Sequence, residues 1–222
     1  MRVFWAILWK DIRYELRRRE LVAVMTVFAL LVVVIFAFAI GIRSESPASM
    51  AASVLWVATS FAGTLGLNRS LALERDEQCL KALLMSPADR SWVFLAKATG
   101  NLVFLLAAQV ILTPLVIVLF GVEDTGHWSL LGVTLLLGSA GFVGVGTLFA
   151  TMATSTRMRD WLLPILLFPV EVPVLIAAVK ATAHVFSTAP PGESAIWIAI
   201  LAAFDLIFVS MSILSFGFVV EE

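Results

Sequence analysis

The side chains best placed to do more than pack fall in one charged stretch, Leu73 to Lys97, set between apolar segments. It reads LERDEQCLKALLMSPADRSWVFLAK, and no other internal loop has both its length and its charge. The chemistry it offers is docking rather than bond-making. On helical spacing over Glu74 to Leu84, Cys79, Leu80, Leu83 and Leu84 share one side, while Glu74, Asp76, Glu77 and Lys81 lie mostly opposite. Glu77 and Lys81 form an i,i+4 pair in the favourable order. Ser86-Pro87-Ala88-Asp89 then restarts a helix, with Ser86 as N-cap and Pro87 at the first helical position. A short helix lying across the face of a membrane protein is suited to receive force from a soluble partner. An ordinary solvated loop with good capping shows the same pattern.

A second set of ionisable groups lies inside or at the edge of apolar spans: Glu171, Lys180 and Asp205. Such residues are costly in lipid and face the protein interior or a wet cavity. Glu171 is flanked by Pro164, Pro169 and Pro173, which remove backbone donors, free carbonyls and bend the helix. A substrate path, a contact with a partner subunit and a structural hydrogen bond to a neighbouring helix are all compatible with Glu171. Asp205 is suited to pair with an Arg or Lys of this or another chain, and Lys180 to snorkel at a span end. Catalytic constellations are missing. There is no GxxxxGK[ST] loop for ATP, no HExxH, no GxSxG and no paired His/Cys ligand set. The single cysteine, Cys79, excludes a disulfide or a CxxC site within one chain.

These groups must be positioned by membrane helices. The chain is 61% hydrophobic and 14% charged, with a net charge of −1, which excludes an ordinary soluble domain and gives no footing for nucleic acid. Six apolar segments near 21–42, 50–72, 98–121, 128–154, 161–181 and 195–219 can each cross a bilayer, which takes roughly 20 residues. Leu30 to Ile40 is continuously apolar rather than alternating, so the spans are helices and not barrel strands. The expected fold class is all-α: one polytopic membrane domain over residues 1–222, with an interfacial helix over residues 1–20. In that helix Val3, Phe4, Trp5, Ile7, Leu8, Trp9, Ile12 and Leu16 supply bulk, and Lys10, Arg13, Arg17, Arg18 and Arg19 reach headgroups. A first span simply extended out of the membrane is the alternative.

Arg and Lys concentrate in segments 1–20, 73–97 and 155–160, whereas loops 43–49, 122–127 and 182–194 hold only Arg43. The positive-inside rule then puts both termini and the charged stretch in the cytoplasm. The fourth span carries Gly132, Gly138, Gly141, Gly144 and Gly146, a packing signal that places it at the bundle centre or a subunit interface. Trp56, Trp92, Trp128, Trp161 and Trp197 sit near span ends as an aromatic belt would. His127 and His184 both fall at the outer face, where solvation is the ordinary fate and a haem or metal contact the exceptional one.

The charged stretch, ending in Pro and then Lys before a span, resembles the coupling segment of ABC-2-type exporter permeases. Within that class the chain is similar to the CcmB family, the haem exporter permeases of cytochrome c maturation. The strings that carry the likeness are WKDIRYELRRREL, LWVATSFAGTLGLNRSLALERDEQCLKALLMSP, GTLFATMATSTRMRDWLLPILLFPVEVPVL and AFDLIFVSMSILSF, so it covers essentially the whole chain. Glu171 departs from the pattern, which leads one to expect an apolar residue between those prolines. The resemblance implies a bacterial inner-membrane subunit, present in two copies with two copies of an ABC ATPase (CcmA-like). Beside it would sit a haem-handling membrane protein (CcmC-like) and a small one (CcmD-like). ATP hydrolysis in the ATPase would drive release of a haem-loaded periplasmic chaperone (CcmE-like). This chain would itself be no enzyme and hold no cofactor; ATP belongs to the partner and haem to the wider complex. Under the same likeness Glu74, Asp76, Glu77, Leu80, Leu83 and Leu84 form the ATPase-coupling helix, with Pro114 as a flex point in the following span. Export of another substrate (lipid, glycan or drug) and a non-transporting assembly scaffold are the competing functions.

Overall fold

The computed structural model describes residues 2–40, 46–76, 90–122, 126–154, 159–187 and 191–219. They form seven helices: α1 (Arg2–Arg18), α2 (Glu20–Ile40), α3 (Pro47–Asp76), α4 (Arg90–Phe120), α5 (Trp128–Thr154), α6 (Arg159–Phe186) and α7 (Pro191–Val219). The last six are each long and apolar enough to cross a membrane, one for each expected span. The chain is a multi-pass membrane protein.

Two boundaries depart from the sequence reading. The second span continues as one helix through Asp76, so Glu74 and Asp76 extend α3 rather than open a separate helix after a break. The third span begins at Arg90, well before the expected residue 98. The cause is general: hydropathy marks where the bilayer ends, whereas a helix that has already formed its backbone ladder continues into charged sequence at little cost. Glu77, Leu80, Leu83 and Leu84, and the Ser86–Pro87 restart, lie outside the described residues. The prolines within α6 (Pro164, Pro169, Pro173) and α4 (Pro114) do not interrupt either helix.

At Arg19 the backbone turns to φ 53°, and this residue separates α1 from α2. A first span extended straight out of the membrane is therefore replaced by two helices with a joint. Glu15 holds the joint. Its carbonyl accepts from the Arg19 N–H at 2.6 Å, and its carboxylate Oε1 accepts from the Val22 N–H at 2.9 Å. That carboxylate does for the first turn of α2 what an N-cap residue would do, satisfying a donor that has no partner within the helix.

The bundle packs around α3 and α5. In α3's apolar window 72% of residues are buried, against 17% in α7, so of the six spans α7 turns most of its surface outward. Trp56 of α3 is 1% exposed and donates from Nε1 to Thr182 Oγ1 of α6 at 2.8 Å. Its position near a span end placed it in the aromatic belt; the structure puts it in the core, because its indole N–H finds a partner there. Gly138 of α5 lies directly against the Trp56 ring, and Gly144 and Gly146 press on Val209 and Leu67. The glycine-rich span is indeed a central packing helix, as small residues in membrane interfaces are. Gly138→Ala should cost about 1–3 kcal/mol, because a buried, hydrogen-bonded indole cannot yield to a methyl group. A thermal-shift comparison in detergent checks this, and an unchanged melting temperature would contradict it.

Candidate functional site

The stretch expected to meet a partner, Leu73 to Lys97 with its coupling helix at Glu74 to Leu84, takes in the last residues of α3, through Asp76, and the first of α4, from Arg90; residues 77–89 lie outside the described residues. What those two helix ends are fastened to determines where force applied between them would go. On the α3 side, Arg69 pairs with Glu20 in the first turn of α2, Nη2 to Oε2 at 2.9 Å. Both side chains are exposed, so the pair registers position and adds little stability.

The α4 side is held much more firmly. Lys97 Nζ donates to Asp11 Oδ2 of α1 at 2.7 Å, with the lysine side chain 5% exposed and the aspartate 17%. Ile7 of α1 packs with Val93 and Ala96 of α4, supported by Val3 and Phe4. Phe4 and Trp92 meet edge to face with centroids 6.2 Å apart. Helix α1 thus lies along the first turns of α4, and it touches α2 far less than α4. Its sequence explains the docking. Ile7, Leu8, Asp11 and Glu15 fall on one stripe at helical spacing and are buried or half-buried, while Trp5, Trp9 and Leu16 remain exposed. Arg13 lies over the Trp9 ring at 5.3 Å and Arg18 over Tyr14 at 5.1 Å, so two of the α1 cations are steadied by aromatic faces.

Deeper in the bundle, hydrogen bonds between helices replace what lipid cannot give. Ser139 Oγ of α5 donates to Gln109 Oε1 of α4 at 3.1 Å, and Gln109 Nε2 donates to Thr59 Oγ1 of α3 at 3.3 Å. Asn101 Nδ2 of α4 donates to Thr147 Oγ1 of α5 at 3.4 Å. These bonds tie α4 to the central helices along its length.

The two intramembrane carboxylates stand on neighbouring helices. Glu171 of α6 is 0% exposed, and Asp205 lies on α7, which packs against α6. All four carboxylate oxygens are buried without a hydrogen-bond partner among the described residues. The structural hydrogen bond weighed for Glu171 and the Arg or Lys partner weighed for Asp205 are both lacking within those residues. Lys180 is exposed, as a snorkelling lysine is. Among the described residues no group of three or more His, Cys, Asp or Glu could hold a metal ion.

The profile of the family described as CcmB protein matches residues 2–221. The chain belongs to the CcmB family. It is 30% identical to heme exporter protein B of Rhodobacter capsulatus over 172 residues, 77% of this chain and 78% of that one. It is 26% identical to heme exporter protein B of Pseudomonas aeruginosa over 204 residues, 92% and 91% of the two chains. The counterpart in Bradyrhizobium diazoefficiens is 26% identical over 177 residues, 80% and 79%. For a CcmB-family chain, the α1–α4 clamp is the part of the site that sequence reading passed over. In the sequence Lys97 reads as a topological charge and as the Lys that closes the charged stretch, and nothing there links it to Asp11 or Glu15. A signal was present: two acids at i,i+4 on the inward stripe of a helix whose other charges are basic.

Proposed function

We propose that this CcmB-family chain is the membrane permease subunit through which a separate ABC ATPase drives the haem-exporting system of cytochrome c maturation. The observation that carries the reading is the fastening of α4, whose first turns leave residues 77–89 already clamped to α1 by Asp11–Lys97. An ATPase seated on those residues would push on α4 with α1 fastened to it, and the hydrogen bonds of α4 to α3 and α5 would pass that load into the bundle. The joint at Arg19 would let α1 follow α4 without dragging α2. In this reading the membrane is the bacterial inner membrane and both termini are cytoplasmic, since the Arg and Lys of the connecting segments gather on that side. The assembly would hold two copies of this chain with a CcmA-like ATPase, a CcmC-like haem-handling protein, a CcmD-like small subunit and a CcmE-like periplasmic chaperone. ATP would bind in the partner alone, since this chain has no P-loop.

Deleting the chromosomal copy and scoring covalent haem in c-type cytochromes tests the reading. It expects loss of the haem-stained bands and their return when the full chain is supplied. Unchanged cytochrome c in the deletion strain would overturn it.

A further inference from the structure

Glu171 and Asp205 pose a charge problem that the described residues do not solve. Each lies near the middle of an apolar span, Leu163–Phe186 for α6 and Ser194–Phe216 for α7. Helix α5, packed against both, carries no ionisable residue at all. Its Gly141 lies directly against Asp205 Oδ1, so any side chain there would take the space the carboxylate occupies. On α6 the other titratable groups are Arg159, Asp160, Lys180 and His184, and on α7 Glu193. Lys180, the nearest cation along α6, is nine residues from Glu171, about 13 Å along the helix, and is exposed. On α3 the charges Arg69, Glu74, Arg75 and Asp76 gather at the end away from the span centre, and on α4 Arg90 and Lys97 lie in the first turns. Lys97 is engaged with Asp11.

Two full negative charges without a counter-ion in a low-dielectric interior cost far more than local packing offsets. A metal cation needs room and several further oxygens. The four oxygens here are fully enclosed, and no ligand group of three surrounds them among the described residues. A proton needs no room. We propose that Glu171 and Asp205 form an intramembrane proton-binding site, with at least one of the two carboxyl groups carrying a proton while α7 is seated on α5 and α6. Losing that proton would leave two like charges enclosed on neighbouring helices, which only hydration relieves. Since α7 is the least enclosed of the six spans, it is the element that would be levered outward. The inference stands on these residues alone and does not depend on what the assembly exports.

The test is infrared spectroscopy of the full chain, purified with its partners at neutral pH in a detergent without ester groups. Wild type should show the carbonyl band of a protonated carboxylic acid, sensitive to deuterium exchange. The band should vanish from E171Q/D205N, a neutral pair of nearly the same shape, which needs no proton to keep α7 seated. A wild-type spectrum without any protonated-acid band overturns the proposal, whether or not the double variant assembles. So does a band that persists undiminished in E171Q, D205N and the double variant.

Discussion

Reversing two charges of the stretch that follows the second span, with Glu74→Lys and Glu77→Lys, should cut cytochrome c maturation sharply while leaving the chain inserted in the membrane at its normal level. Both residues stand at the entrance to the segment proposed to seat the ATPase, Glu74 in α3 and Glu77 immediately after its last described residue. Neither lies in an apolar span, so insertion has no reason to change. Each reversal sets a positive charge where a negative one served docking, and every ~1.4 kcal/mol lost from an interface is tenfold in affinity. The loss of haem-bearing cytochrome c should therefore be roughly tenfold or more, with the chain's abundance in membranes as the control. Normal cytochrome c levels in this double variant would remove Glu74 and Glu77 from the coupling site.

The second large effect concerns the clamp. Asp11→Ala removes the carboxylate that meets buried Lys97 Nζ at 2.7 Å, and removing one member of a buried ion pair costs on the order of 3 kcal/mol. A melting temperature lowered by several degrees is expected, together with release of α1, read as new protease cleavage between α1 and α2. Lys97→Met in the Asp11→Ala background should recover most of the stability, since an apolar chain of similar length suits that buried position. It should not recover full transport, because α1 and α4 would no longer be tied by charge. Equal stability of Asp11→Ala and wild type would show that the pair contributes nothing.

The contrast between what the sequence disclosed and what it hid follows from the kind of signal each feature leaves. The six spans are legible because a bilayer demands long apolar runs, and each run answers to one helix. The central place of α5 is legible because Gly138, Gly141, Gly144 and Gly146 have no other physical reason to cluster in an apolar helix. Helix ends are less so: α3 reaches Asp76 and α4 starts at Arg90 because the ladder does not stop where hydropathy falls. Asp11 and Glu15 stayed hidden because an acid on an apolar stripe has meaning only once Lys97 and the Val22 N–H are brought to it by the fold. Trp56 was misplaced for a related reason, since depth along a helix does not tell which way a ring faces. Glu171 and Asp205 were each visible as unusual, but 34 positions separate them in sequence and no period links them. Only the packing of α6 on α7 makes them a pair.

The central claim is that an ATPase seats on the segment between α3 and α4, and the single cysteine of the chain lies within it at Cys79. Thiol-directed photo-cross-linking through Cys79 in intact membranes, followed by mass spectrometry of the adduct, reads that contact directly. The account predicts an adduct with an ABC ATPase subunit, formed from the cytoplasmic side and lost in the Glu74→Lys, Glu77→Lys variant. Cys79 labelled by a membrane-impermeant maleimide from the periplasmic side, or an adduct that contains no ATPase, would contradict it.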